Sequence, residues 1–174
     1  MSDAEALRKQ VLIVMGVSGS GKTTIAEALD RRLGWPFQEG DDLHPPANVA
    51  KMHAGTPLTD EDRWPWLDAI AAWIGVRLAD DGAGVVTCSA LKRSYRDRLV
   101  GGRDGVRLVY LHASAELLRE RLAARKGHFM PASLLNSQLE AFEEPGPDEN
   151  PIRIEDAGTP DQVADAIMAA LRAG

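Results

Sequence analysis

The chain has 174 residues, 44% of them hydrophobic and 26% charged, which suits one globular domain with a substantial core. Its net charge of -6 argues against a nucleic-acid-binding surface or a basic membrane anchor, and no apolar run is long enough to span a bilayer. Cys88 is the single cysteine, so no internal disulfide and no cysteine-based zinc cluster can form, which fits a reducing cytoplasm.

In chain order, Val11-Leu12-Ile13-Val14-Met15 reads as a buried parallel strand. It runs into Gly16-Val17-Ser18-Gly19-Ser20-Gly21-Lys22-Thr23, which fits G-x-x-x-x-G-K-[ST] at every fixed position. Backbone N–H groups in such a loop cradle phosphate oxygens, Lys22 reaches the β- and γ-phosphates, and the Thr23 hydroxyl can hold magnesium. These eight residues, with Thr24, are the candidate ATP contacts. A helix from about Lys22, with Ile25, Leu29 and Leu33 on one face, is expected to end at Gly34.

A short second strand at Trp35-Pro36-Phe37-Gln38 leads into the acidic stretch Glu39-Gly40-Asp41-Asp42-Leu43-His44-Pro45-Pro46. Ligands of a parallel sheet sit beyond the carboxyl ends of its strands, so this stretch is expected on the same rim as the phosphate loop. Residues 47–55 form a short helix, and Thr59-Asp60-Glu61-Asp62 reads as a capped start to a longer one, with Arg63 in its first turns and Trp73 packing in the core. A third strand, Val85-Val86-Thr87-Cys88, precedes Lys92, Arg93 and Arg96, a basic group on the rim. Cys88 is expected to be inert packing.

The fourth strand, residues 106–111, is followed by a helix capped by Ser114 and carrying Arg121 and Arg125 on one face. It runs into Lys126-Gly127-His128-Phe129-Met130-Pro131, and a helix over about 132–142 follows. This excursion, about 121–131, reads as a small helical lid. A fifth strand at 152–154 and a last helix capped by Thr159 close the chain. The expected fold is an α/β three-layer P-loop NTPase fold: a parallel five-stranded sheet flanked by helices, in one domain.

A phosphate cradle, an acid near an acceptor hydroxyl and an arginine-bearing lid are the parts of a small-molecule kinase. A switch GTPase would carry Asn-Lys-x-Asp, and a motor ATPase an acid at the end of strand three, where this chain has Cys88-Ser89.

The chain resembles gluconokinases of the P-loop type, in the group that includes nucleoside-monophosphate and shikimate kinases. The residues that carry the likeness are Gly40-Asp41-Asp42-Leu43-His44-Pro45, Asn48, Lys51-Met52, Gly55-Thr56-Pro57-Leu58, Asp60, Asp62-Arg63 and Pro65-Trp66-Leu67. Further on come 88–93, Tyr95-Arg96-Asp97, Arg125 to Phe129 and Ser137-Gln138. The resemblance implies transfer of the ATP γ-phosphate to the 6-hydroxyl of D-gluconate, with Mg2+, in a cytoplasmic and often dimeric enzyme. It implies Lys22, Asp41 and Arg125 as catalytic residues, Arg121 and Arg125 as nucleotide contacts, and Asp41, His44, Arg63, Lys92, Arg96 and His128 around the acceptor. Glu39 departs from it, since relatives carry aspartate there. The extra methylene shifts the carboxylate outward, with a place in the magnesium water shell as its expected role.

Overall fold

The computed structural model describes residues 7–124 and 132–174. Five parallel strands, β1 (Val11–Met15), β2 (Phe37–Gln38), β3 (Gly84–Thr87), β4 (Val106–His112) and β5 (Ile152–Glu155), lie in the order β2-β3-β1-β4-β5. Every residue of β1 is fully buried, because helices cover both faces of the sheet. Its side chains alternate between two cores: Leu12 and Val14 face one, and Val11, Ile13 and Met15 the other.

The first core is completed by helices α1 (Lys22–Leu33) and α7 (Pro160–Ala173). The second is filled from α3 (Asp60–Asp80), α4 (Arg93–Val100), α5 (Ala115–Ala124) and α6 (Ala132–Ala141). Helix α2 (Pro46–His53) is short and joins the acidic stretch to α3. Trp66, Leu67, Ile70 and Ile74 are buried along α3, and Trp73 is half-buried against the same core. Cys88 lies buried just past β3, and burial pushes its thiol up to about 12, so it is inert at neutral pH.

Local chemistry sets the boundaries. Gly34, in the left-handed region, ends α1, and Gly101 ends α4 in the same way. Thr59 and Thr159 each cap a helix in a reciprocal capping box, with Asp62 and Gln162. Ser114 accepts from the Leu117 N–H at the start of α5.

Strand order reverses around β1: its chain continues to the far edge at β2, with β3 between, while β4 and β5 lie on the other side. The crevice at this switch point, beyond the carboxyl ends of β1, β2 and β3, is where an open α/β sheet binds its ligand.

Candidate active site

The phosphate loop leaves β1 directly. Gly21 sits before α1 with φ 84, a conformation that glycine takes without strain, and so aims the first free N–H groups of α1 into the loop. That helix start carries the positive end of its dipole. Lys22 opens α1, and its Nζ donates to the Val17 carbonyl at 3.2 Å.

The acidic stretch after β2 forms a short 3-10 turn, Gly40–Leu43, docked against β3. Docking is close: a Cβ on Gly40 would lie 1.8 Å from the Thr87 carbonyl oxygen, so only glycine fits. The Gly40 N–H donates to Thr87 Oγ1 at 3.0 Å, and the Trp66 indole N–H donates to the Gly40 carbonyl at 2.8 Å. Asp41 is thereby presented at the rim, exposed, on the wall of a cavity that it shares with Ser18 and Lys22. Asp42 is exposed and lies off that wall.

His44 stacks on Trp66, with ring centroids 4.0 Å apart. The Asn48 amide nitrogen donates to the Asp62 carbonyl at 2.8 Å and faces His44 Nδ1 at 3.2 Å. An amide NH2 group only donates, so Nδ1 accepts and the ring proton resides on Nε2, which lies 3.9 Å from an Asp41 oxygen. Burial first, and the Arg63 charge second, lower the His44 pKa to about 4, which keeps the ring neutral at physiological pH.

Arg63 lines the same cavity and is held by neutral oxygens. Its Nη1 donates to the Leu58 carbonyl at 2.9 Å and to the Tyr95 hydroxyl at 3.0 Å. Tyr95 in turn donates to Asp60, which also accepts from Lys92 at 3.1 Å. These bonds hold the Asp60 carboxyl below its usual range, Tyr95 first and Lys92 second; burial and Asp60 push the phenol up. The cavity encloses about 620 Å³, counting its open mouth, and its far wall holds Ser137 and Gln138 of α6.

Glu39 bridges two hydroxyls. Thr23 Oγ1 donates to one carboxylate oxygen at 2.6 Å and Thr87 Oγ1 to the other. A hydroxyl that has given its proton to a carboxylate presents only lone pairs to other neighbours. Thr23 and Glu39 together therefore offer hard oxygen donors beside the phosphate loop, a set that suits magnesium. Among the described residues no group of three or more His, Cys, Asp or Glu side chains is placed to hold a metal. Magnesium needs no such cage, since it is bound through one or two protein oxygens, substrate phosphates and water.

A second cleft, about 500 Å³, lies on the other side of the loop against Gly19, Gly21, Thr24, Arg121, Asp156 and Gly158. Arg121 spans it, donating to the Gly19 carbonyl at 3.1 Å and to the buried Asp156 carboxylate. The turn after β5 was open to sequence reasoning by the carboxyl-end rule that places the phosphate loop. The cavity walls contributed by Trp66, Ser137 and Gln138 were marked only through the family resemblance, since no local pattern places them at the site.

Two expected acceptor contacts are corrected. Arg96 is 1% exposed at its side chain and makes a paired contact with Glu149, Nε to Oε1 at 2.7 Å. Its Nη1 donates to the Ala90 and Leu91 carbonyls, so it holds up the wall of the cavity from behind. Lys92 is turned to Asp60 and does not line the cavity. Arg125, His128 and most of the 121–131 lid lie outside the described residues. No helix of the described residues is long and apolar enough to cross a membrane.

The model of the AAA domain family matches residues 11–145. Gluconokinase of Gluconobacter oxydans (strain 621H) is 52% identical over 162 residues, covering 93% of this chain and 91% of that protein. Thermoresistant gluconokinase of Escherichia coli (strain K12) is 39% identical over 150 residues, 86% of each chain. The crystal structure of a gluconokinase from Sinorhizobium meliloti 1021 superposes with a TM-score of 0.84 at 46% identity, covering 94% of this chain and 93% of that one. Identity of 52% over 93% of the chain makes the chain a member of the gluconokinase family.

Proposed function

We propose that the protein transfers the γ-phosphate of ATP to the 6-hydroxyl of D-gluconate, giving 6-phospho-D-gluconate and ADP. The observation that carries this reading is the shared wall. Lys22 of the phosphate loop, Asp41 and the cation Arg63 line one cavity, in a chain 52% identical to a gluconokinase.

In this reading the triphosphate lies along the loop, with its nucleoside toward Arg121 and the turn after β5 and its γ-phosphate toward Ser18 and Lys22. The gluconate carboxylate meets Arg63, since a long anionic polyol needs several donors and at least one cation. Tyr95 and the Leu58 carbonyl fix the guanidinium. Asp41 orients the 6-hydroxyl and accepts its proton as the new O–P bond forms and the bond to the ADP oxygen breaks. The neutral His44 ring offers its Nε2–H to the same region without competing for that proton. Lys22 and the start of α1 stabilise the charge on the moving phosphoryl group. Thr23 and Glu39 would hold Mg2+, which supplies charge neutralisation on the β- and γ-phosphates when bound. Arg125 and His128 belong to this proposal through the family resemblance, as do a homodimer and a cytoplasmic location.

A coupled assay of ADP release tests the reading over gluconate, shikimate, glucose, glycerate and nucleoside monophosphates. Gluconate is expected to give the highest kcat/KM, with 6-phosphogluconate as product. Equal turnover of glucose, which lacks the carboxylate, would overturn the placement at Arg63. A preference for another acceptor would overturn the proposed substrate.

A further inference from the structure

Gln138, on α6, reaches across the cavity to the phosphate loop. Its side-chain carbonyl Oε1 accepts from the Ser18 N–H at 2.8 Å, between residues 120 apart in sequence. Backbone N–H groups of this loop are built to bind phosphate oxygens. An amide oxygen carries the same sign of partial charge as a phosphate oxygen, so Gln138 stands where an anion's oxygen belongs.

Position decides which phosphate that is. Ser18 and Lys22 line the acceptor cavity with Asp41 and Gln138, whereas Gly19, Gly21 and Thr24 line the cleft on the other side of the loop. The phosphate to be transferred must lie on the acceptor side. The Ser18 N–H is therefore available to the terminal phosphate of a triphosphate and out of reach of a diphosphate bound toward the second cleft.

We infer that Gln138 is a placeholder for the γ-phosphate. It ties α6 to the phosphate loop in the nucleotide-free protein, is displaced by a nucleoside triphosphate but not by a diphosphate, and then turns its amide to the acceptor. Gln138 is a positioning residue in this scheme: it links the occupied γ-phosphate site to the acceptor wall. This rests on the kinase reading above for the direction of the acceptor, while the competition at Ser18 needs only nucleotide.

The test is calorimetric binding of a non-hydrolysable ATP analogue and of ADP, with magnesium, to the wild type and to two variants. Gln138→Leu removes the competing acceptor and should tighten the ATP analogue about 3- to 10-fold, the worth of one hydrogen bond, with ADP unchanged. Gln138→Glu keeps the size but places a carboxylate at the γ-phosphate position, and should weaken the analogue at least about tenfold with a much smaller effect on ADP. The opposite signs guard against a misfolded variant, which would weaken both nucleotides in both cases. Equal effects on the analogue and ADP, or none, would overturn the proposal. The acceptor arm is steady-state kinetics: Gln138→Leu should raise the gluconate KM several-fold while the ATP KM falls. A gluconate KM at the wild-type value would overturn the link to the acceptor. A wild type that phosphorylates no gluconate, yet shows the nucleotide pattern above, would overturn the proposed substrate and leave the competition at Ser18 supported.

Discussion

Replacing Arg96 by methionine separates a structural arginine from a substrate-binding one. The guanidinium is almost wholly enclosed, with side-chain exposure of 1%, and Glu149 is 7% exposed. Burial raises the Glu149 pKa and Arg96 lowers it, with the net direction downward, so the carboxylate depends on Arg96 for its charge. Methionine fills much of the stem's volume but leaves Glu149 with the Gly146 N–H, and takes a donor from the carbonyls of Ala90 and Leu91, of which Leu91 keeps the Glu143 N–H. Ala90 has φ 47, a strained conformation for a residue with a Cβ, and one of the bonds that fix it is lost. Breaking a buried pair from one side costs about 3–5 kcal/mol, whereas removing both charges is close to neutral. For a chain of this length that is a fall in melting temperature of about 6–20 °C. Adding Glu149→Gln, which keeps an acceptor for Gly146, should recover most of the loss. Urea and thermal melts give the stability, and kinetics at low temperature give the gluconate KM, expected within about threefold of wild type. A variant that melts like wild type but loses gluconate affinity by orders of magnitude would refute the structural assignment and return Arg96 to the acceptor site.

Asp41→Asn keeps the size and removes the proposed proton acceptor, so kcat should fall by ~10²–10⁴ with ATP affinity retained. Asp42→Asn should have a milder effect, and steady-state kinetics with the reverse order would move the base to Asp42. Tyr95→Phe removes the oxygen that receives Arg63 and should raise the gluconate KM about 3- to 10-fold with kcat nearly unchanged; an equal rise in the ATP KM would refute a role confined to Arg63. His44 titrates near 6.5 when unfolded and at about 4 when folded, so the unfolded state binds the extra proton between those values. Its contribution to stability is complete above pH 6.5 and is lost as pH falls toward 4, by about 2 kcal/mol over the window given that the ring borders an open cavity. Urea melts of wild type and His44→Gln should therefore converge as acid is added, and a difference independent of pH would refute the assignment.

The parts legible in the sequence are those whose physics is local. An apolar run, a glycine-rich loop and an amphipathic helix follow one another within residues 11–33, and each step of that unit is a near-neighbour pattern. The same holds for the caps at Thr59, Ser114 and Thr159 and for the acidic turn, whose place follows from strand direction alone. Rim cations are a different matter. Arg96 meets Glu149 across 53 positions and Lys92 meets Asp60 across 32, and no periodicity relates such partners. A basic residue beside an anion site looks the same in sequence whether it faces the ligand or an acid of its own chain. Glu39 shows the converse. Its extra methylene marks it as a departure, but only the fold shows that the longer side chain spans two hydroxyls, Thr23 on α1 and Thr87 on β3.

Charge near the cavity follows from the partner that each cation meets. Besides Lys22, three cations of the described residues bear on it: Arg63, Lys92 and Arg96. Glu149 neutralises Arg96 in the interior, and Asp60 draws Lys92 away from the wall. The hydrogen bonds of Arg63 go instead to a carbonyl and a phenol, which orient a guanidinium without cancelling its charge. The Tyr95 hydroxyl donates to Asp60 and so turns a lone pair toward Arg63, which makes Asp60 an aid to orientation across one intervening group. Among the described residues, Arg63 and Lys22 are thus the cations on the wall that Asp41 shares. In the proposed function, a substrate with an anion at one end and a hydroxyl at the other would span Arg63 and Asp41, its hydroxyl at the carboxylate proposed to take the proton and its anion at the guanidinium.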